Sequence, residues 1–250
     1  MTSDPTRRLM EFGRDLQNIP PSHLPKSFSK VAFLCVNTFE SFRFGFGKGP
    51  LEDGARLAKV LKSFGFEIYF MKTPHCRNFF RYFDPFIEYT KKHLVIVYLG
   101  HEIYMTKEDG SYDEAFTFDD GKITDETVIE HIAGLKDPNS QITMITDACH
   151  PGSIWDINEG IVCGQKIPEK IISIAAQNEG LSTSTTIQER LESGAFVTLL
   201  TKEIKNNKGP TPNQIEEKLK NSLENLRQVF VIGSSSPELL DVPLFYIEPE

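Results

Sequence analysis

The chain has 250 residues, 39% of them hydrophobic, which suffices for one large globular domain with a true core. Its 35 acidic residues against 27 basic ones leave a net charge of −8, which argues against nucleic acid as a partner. The four cysteines (Cys35, Cys76, Cys149, Cys163) form no CxxC pair, which argues against a zinc site or redox dithiol.

The N-terminus, MTSDPTRRLMEFGRD, lacks the apolar stretch of a signal peptide. The longest apolar run, Leu94 to Leu99, is far too short to cross a bilayer. The expected compartment is the cytoplasm, where thiols stay reduced and a single cysteine can serve as a nucleophile.

Residues 1–29 read as an N-terminal arm, with a short helix over Pro5 to Leu16 and then an extended, proline-punctuated segment. Lys30 to Asn37 is a continuous apolar run, as in a strand covered on both faces. A glycine-rich loop follows. Leu57, Val60, Leu61 and Phe64 then mark one face of a helix over Asp53 to Phe64, stopped by Gly65.

Strands are expected at Glu67–Met71, His93–Gly100, Gln141–Cys149, Lys170–Gln177 and from Gln228. Helices are expected over Phe79–Lys92, around Val128–Leu135, over Glu189–Lys205 and over Pro212–Leu226. Strands thus alternate with helices over residues 30–250, and the early strands are apolar on both faces. The pattern predicts an α/β three-layer sandwich: a mostly parallel six-stranded sheet with helices on both sides.

Ligands of such sheets bind beyond the carboxyl ends of the strands. One strand exits as Tyr98-Leu99-Gly100-His101, another as Asp147-Ala148-Cys149-His150-Pro151-Gly152. A His about fifty residues ahead of a strand-end Cys matches the spacing of the caspase signature. A thiol is mostly protonated at neutral pH, and a neighbouring imidazole can take its proton or assist the leaving group. A turn directly after the strand leaves backbone N–H groups free to hold an oxyanion. Cys149 is therefore the candidate nucleophile and His101 its base. Cys35, Cys163 and His23, His75, His93 and His131 lack such surroundings, whereas His150 abuts the candidate nucleophile.

These residues resemble those of the metacaspases, the caspase relatives of protists, fungi and plants. Tyr98-Leu99-Gly100-His101 is similar to the family's Y-S-G-H-G, and Asp147 to Ser153 to its D-x-C-H-S-G-S. The acidic stretch from Asp109 to Glu126 is similar to a segment that true caspases lack. The resemblance spans about Val31 to Ile204.

It implies a caspase-like fold and a cysteine endopeptidase acting through a thioester acyl-enzyme. It implies protein or peptide substrates with Arg or Lys before the scissile bond, received by Asp147 and Asp53. Asp53 also reads as a helix N-cap, and the sequence leaves both readings open. The resemblance implies an oxyanion held by the N–H groups of Glu102 and Cys149, and calcium activation through Asp113, Asp125, Glu126 and Asp156. Asp125 and Glu126 equally suit the positive end of a helix. No organic cofactor, nucleic acid or membrane is implied, and a monomer is expected. Self-cleavage after Lys166 or Lys170 is a further expectation.

Three positions depart from the family pattern: Leu99 for Ser, Glu102 for Gly and Pro151 for Ser. They support the alternative of a caspase-fold binding or regulatory module without turnover.

Overall fold

The computed structural model describes residues 4–39, 47–106, 110, 112–134, 140–148, 157, 161–162, 165–178, 194–207, 209–226 and 228–246. The chain opens with helix α1 (Pro5–Phe12), capped by the Asp4 carboxylate, and a two-residue strand β1 (Arg14–Asp15). Strand β2 (Phe28–Val36) leads to helix α2 (Gly49–Ser63) and strand β3 (Glu67–Lys72). Helix α3 (Cys76–Tyr89) and the long strand β4 (Thr90–Leu99) follow.

Next come β5 (Glu102–Thr106), β6 (Tyr112–Phe118), β7 (Gly121–Thr124) and helix α4 (Asp125–Gly134). Strand β8 (Gln141–Asp147) precedes the short hairpin of β9 (Ile161–Val162) and β10 (Gln165–Lys166) and the strand β11 (Ile171–Asn178). Helices α5 (Gly194–Asn207) and α6 (Pro212–Glu224) and strand β12 (Gln228–Ser234) complete the order.

The central sheet runs β1-β3-β2-β4-β8-β11-β12. All its pairs are parallel except β11–β12 at one edge. The expected mostly parallel sheet is present, with one strand more than the sequence suggested. That strand is β1, too short to show a periodicity of its own. It docks beside Tyr69 and Phe70 of β3.

Each face of the sheet carries its own core. On one side Leu9 of α1, Leu57, Leu61 and Ala58 of α2, Phe196 and Leu200 of α5 and Ile215 of α6 pack on Leu34, Val95, Val97 and Ile174. On the other, Phe79, Phe83 and Phe86 of α3 and Val128 and Ile132 of α4 pack on Phe33, Ile96 and Met144. Burial on both faces explains why the central strands read as unbroken apolar runs. The arm is tied in as well, since Leu9 and Leu16 are fully buried.

The acidic stretch after His101 is not a loop. It forms an antiparallel sheet β5-β6-β7, with Ala115, Phe116, Phe118 and Ile123 buried beneath its charged residues. The alternation is short and diluted by Asp and Glu, so the sequence reading passed over it. Among the described residues no helix is long and apolar enough to cross a membrane.

Candidate active site

The exit of β4 is built around Tyr98 and Gly100. Leu99 pairs with Asp147 in the β4–β8 register, and the Gly100 N–H donates to the Asp147 carbonyl at 3.1 Å. The Tyr98 side chain folds back beneath Gly100. A methyl group at residue 100 would lie 2.8 Å from the Tyr98 ring and hydroxyl and 3.1 Å from the Asn37 amide nitrogen, so only glycine fits.

From there the Tyr98 hydroxyl shares its proton between the carbonyls of His101 (2.8 Å) and Thr117 (2.7 Å). It also accepts the N–H groups of His101 (3.3 Å) and Thr117 (3.1 Å). One buried phenol thus fastens the His101 main chain to β6. Burial is the main reason its pKa stands well above the usual tyrosine value.

The His101 ring stays partly exposed and meets Phe39 edge-on, with centroids 6.4 Å apart. Phe39 has a positive φ of 51°, a conformation that costs a non-glycine residue on the order of 1–3 kcal/mol. Thr73, at the exit of β3, shares this strain with φ 47°, and its hydroxyl bonds that of Thr38 at 2.8 Å.

Cys149 lies outside the described residues, as do His150, Pro151, Gly152, Asp156 and Cys163. The described chain continues from Asp147 through the buried Ala148, one peptide unit short of Cys149.

Asp147 and Asp53 come together from different elements. Both are buried, at 9% and 4% exposure, and the negative charge of Asp53 acts on Asp147. Burial, then Asp53, holds the Asp147 carboxyl well above the usual carboxylate range. Burial also pushes Asp53 up to about 6, against the opposing pull of the Arg56 guanidinium. Arg56 Nη1 sits 2.7 Å from Asp53 Oδ1. Gly194 at the start of α5 brings its backbone against the Asp53 carboxylate, where a Cβ would stand 3.4 Å away.

The N-cap reading of Asp53 is therefore corrected. Helix α2 begins at Gly49 and its cap position is Lys48, which leaves Asp53 inside the helix. The Pro50 ring favours a first helical turn, and its start hid in the glycine-rich stretch.

Glu102 opens β5 and is 3% exposed. Burial, with Glu114 and Asp125 nearby, holds its carboxyl well above the usual range. Asp125 begins α4 and is pushed up to about 7, mainly by burial, with Asp113 and Glu114 adding to the rise. It shares a hydrogen bond with Asp113 and accepts the Glu126 N–H at 2.8 Å.

Of the four expected calcium ligands, Asp113 and Asp125 thus touch. Among the described residues no three carboxylates converge on one metal position. Calcium requires six to eight oxygens, and the fourth expected ligand, Asp156, lies outside the described residues.

Sequence reasoning missed three residues here. Asn37, at the exit of β2, is 1% exposed, and neither atom of its side-chain amide has a hydrogen-bond partner among the described residues. An unpaired buried amide is costly and marks a place where a partner is expected. Tyr98 and Arg56 were also passed over; a tyrosine ahead of Gly-His was the available clue to the first. The other described cysteines are chemically quiet: burial raises the thiols of both, that of Cys76 to about 12. Lys166 is exposed and pairs with Glu169 at 3.5 Å. The Lys170 carbonyl accepts the Ile142 N–H at 2.8 Å and so belongs to the sheet.

The comparisons with known proteins agree with this architecture. No curated protein sequence matches the chain at a significant level. Among solved structures it is similar to protein GSU0716 from Geobacter sulfurreducens, with TM-score 0.63, 13% identity and coverage of 89% of this chain and 100% of that one. It is similar to the Drosophila initiator caspase Dronc, with TM-score 0.58, 14% identity and coverage of 87% and 84%. Caspase-1 from Spodoptera frugiperda aligns with TM-score 0.58 and 13% identity over 85% of this chain and 90% of that one. At such identities the likeness concerns the fold. The caspase domain model matches residues 30–241, most of the chain, and the protein belongs to the caspase-domain family.

Proposed function

We propose that the protein is a cysteine endopeptidase of the metacaspase type that cleaves after Arg or Lys. The observation that carries this reading is the buried pair Asp53 and Asp147, beside the strand exit that leads to Cys149. Two carboxylates out of water are expensive unless a cation joins them, and of this pair Arg56 contacts Asp53. A substrate guanidinium or ammonium entering the pocket supplies the missing charge, and a guanidinium can bond both carboxylates at once.

In this mechanism His101 takes the proton of the Cys149 thiol. The thiolate adds to the scissile carbonyl, and the N–H groups of Cys149 and Glu102 stabilise the oxyanion. The C–N bond breaks as His101 returns the proton to the leaving amine. Water, deprotonated by His101, then hydrolyses the thioester. Phe39 and the Tyr98 clamp hold the imidazole side of the site.

Calcium activation rests on the Asp113–Asp125 contact, where a cation would offset the repulsion of two neighbouring carboxylates. We place the protein in the cytoplasm as a monomer. Self-processing is favoured after the exposed Lys166, because cleavage after Lys170 would cut a residue bonded into the sheet.

The test is incubation with Arg-, Lys- and Asp-terminated fluorogenic peptides, with and without calcium. Cleavage of the basic peptides that Cys149→Ala abolishes supports the reading. Calcium-induced thermal stabilisation with no cleavage of any peptide would replace it with a regulatory module.

A further inference from the structure

On the helical face that carries α1, α2 and α5 lies a cavity of about 330 Å³. Arg8 of α1, Arg56 and Lys59 of α2, and Lys202 and Lys205 of α5 line it, together with the Thr198 hydroxyl. No carboxylate is among its described lining residues.

Collecting five cations in one cavity is unexpected in a chain whose net charge is −8. Arg56 is partly neutralised: its Nη1 contacts Asp53 at 2.7 Å and its Nη2 lies 3.9 Å from Glu52. Among the described residues, Arg8, Lys59, Lys202 and Lys205 have no carboxylate within ion-pairing distance. Lys59 stands one turn from Arg56, and Lys205 one turn from Lys202, spacings at which like charges repel. Three helices from distant parts of the chain contribute, so the concentration of charge is a product of the fold and not of a basic sequence run.

We propose that this cavity is a binding site for a small polyphosphate anion. Its volume falls at the lower end of small-ligand pockets, large enough for two or three phosphate groups and too small for a folded partner. Arginine forks match phosphate oxygens in pairs, and lysines add point charge. Arg56 is already oriented along the wall, with Nη1 3.1 Å from the Thr198 hydroxyl oxygen. A free polyphosphate, a nucleoside triphosphate and an inositol polyphosphate share this chemistry. The cavity shares Arg56 with the proposed substrate pocket through Asp53, but the test reads binding alone and the substituted lysines lie outside that pocket.

The test is calorimetric titration of the full chain with inorganic tripolyphosphate at physiological salt, with ATP and inositol hexakisphosphate as parallel arms. Saturable one-to-one binding with Kd of roughly 100 μM or below is expected. The double variant Lys59→Ala/Lys202→Ala, whose lysines are both exposed, should bind at least about tenfold more weakly while keeping the wild-type Tm. The control variant Lys91→Ala/Lys122→Ala removes the same charge elsewhere on the surface and should bind as the wild type does. The arm that binds tightest identifies the source of the phosphates. The proposal is overturned if none of the three arms shows saturable binding, if both double variants weaken binding equally, or if single-stranded RNA binds more tightly than all three.

Discussion

One histidine lies within strand β4 and another just beyond its end, and the contrast between them shows how position relative to a parallel strand decides chemistry. His93 lies near the start of the strand and is 6% exposed. Its Nε2 is 2.9 Å from the Thr143 hydroxyl, and Phe66 and Phe245 flank its ring. Burial, with Lys30 adding to it, lowers its pKa to about 3, so it stays neutral and fixed. His101 follows the other end of the strand, past Gly100, with its main chain clamped and its ring partly open. The same side chain is core at one end and a proton carrier in the proposed mechanism at the other. Side chains inside the sheet are enclosed by both helical layers, whereas those past the carboxyl ends face the loops where ligands bind.

The largest separation between the two should appear in turnover. His101→Ala is expected to lower kcat by about 10³–10⁴ with little change in Tm, read from fluorogenic peptide assays beside thermal unfolding. Comparable losses in Tm and rate would place His101 in the core with its neighbour.

His93→Ala should do the opposite, with a loss of about 2–4 kcal/mol in urea unfolding and near-normal kcat on the folded fraction. The pH dependence has a definite sign. The folded pKa of His93 is depressed, so its contribution to stability is present above about pH 6.5 and disappears as pH falls towards 3. Unfolding curves between pH 7 and pH 4 should therefore converge for wild type and His93→Gln.

Gly100→Ala probes the connection between strand and site. The added methyl must push Tyr98 aside, which loosens the His101 main chain, and kcat should fall about 10–100-fold. A fully active variant would show that the clamp does not position the imidazole.

The smallest effect on turnover is expected from the carboxylate pair, which acts on stability and substrate binding. Asp53 has a raised folded pKa of about 6, so stability falls by roughly 3 kcal/mol as pH rises from below 4 through 6. Asp53→Asn should flatten that profile. With an Arg peptide, KM should decrease as pH rises through about 6 and then level, because only the ionised carboxylate attracts the guanidinium. A pH-independent KM over that range would remove Asp53 from substrate recognition.

Much of the fold was legible because the central strands are covered on both faces, and such strands write themselves as apolar runs: Val31 to Val36 and Leu94 to Leu99 needed no further context. The edge strand β1 and the β5-β6-β7 sheet were not legible. The first has only two residues, and the second hides Ala115, Phe116 and Phe118 among acidic residues whose environment depends on neighbours distant in the chain. The candidate pair His101 and Cys149 followed from strand exits and spacing. Asn37, Tyr98 and Arg56 did not, because their roles come from contacts with other elements.

The sequence by itself determined the alternation of strands and helices, and hence the parallel sheet and the end of it where chemistry belongs. Periodicity and the right-handed connection of parallel strands are local in origin, and they are written residue by residue. Only the tertiary structure decided that Asp53 lies inside α2 beside Asp147, that Tyr98 grips His101, and that cations from three helices share one cavity. Electrostatic and steric terms of that kind depend on distances between segments far apart in the chain, and those distances exist only after folding.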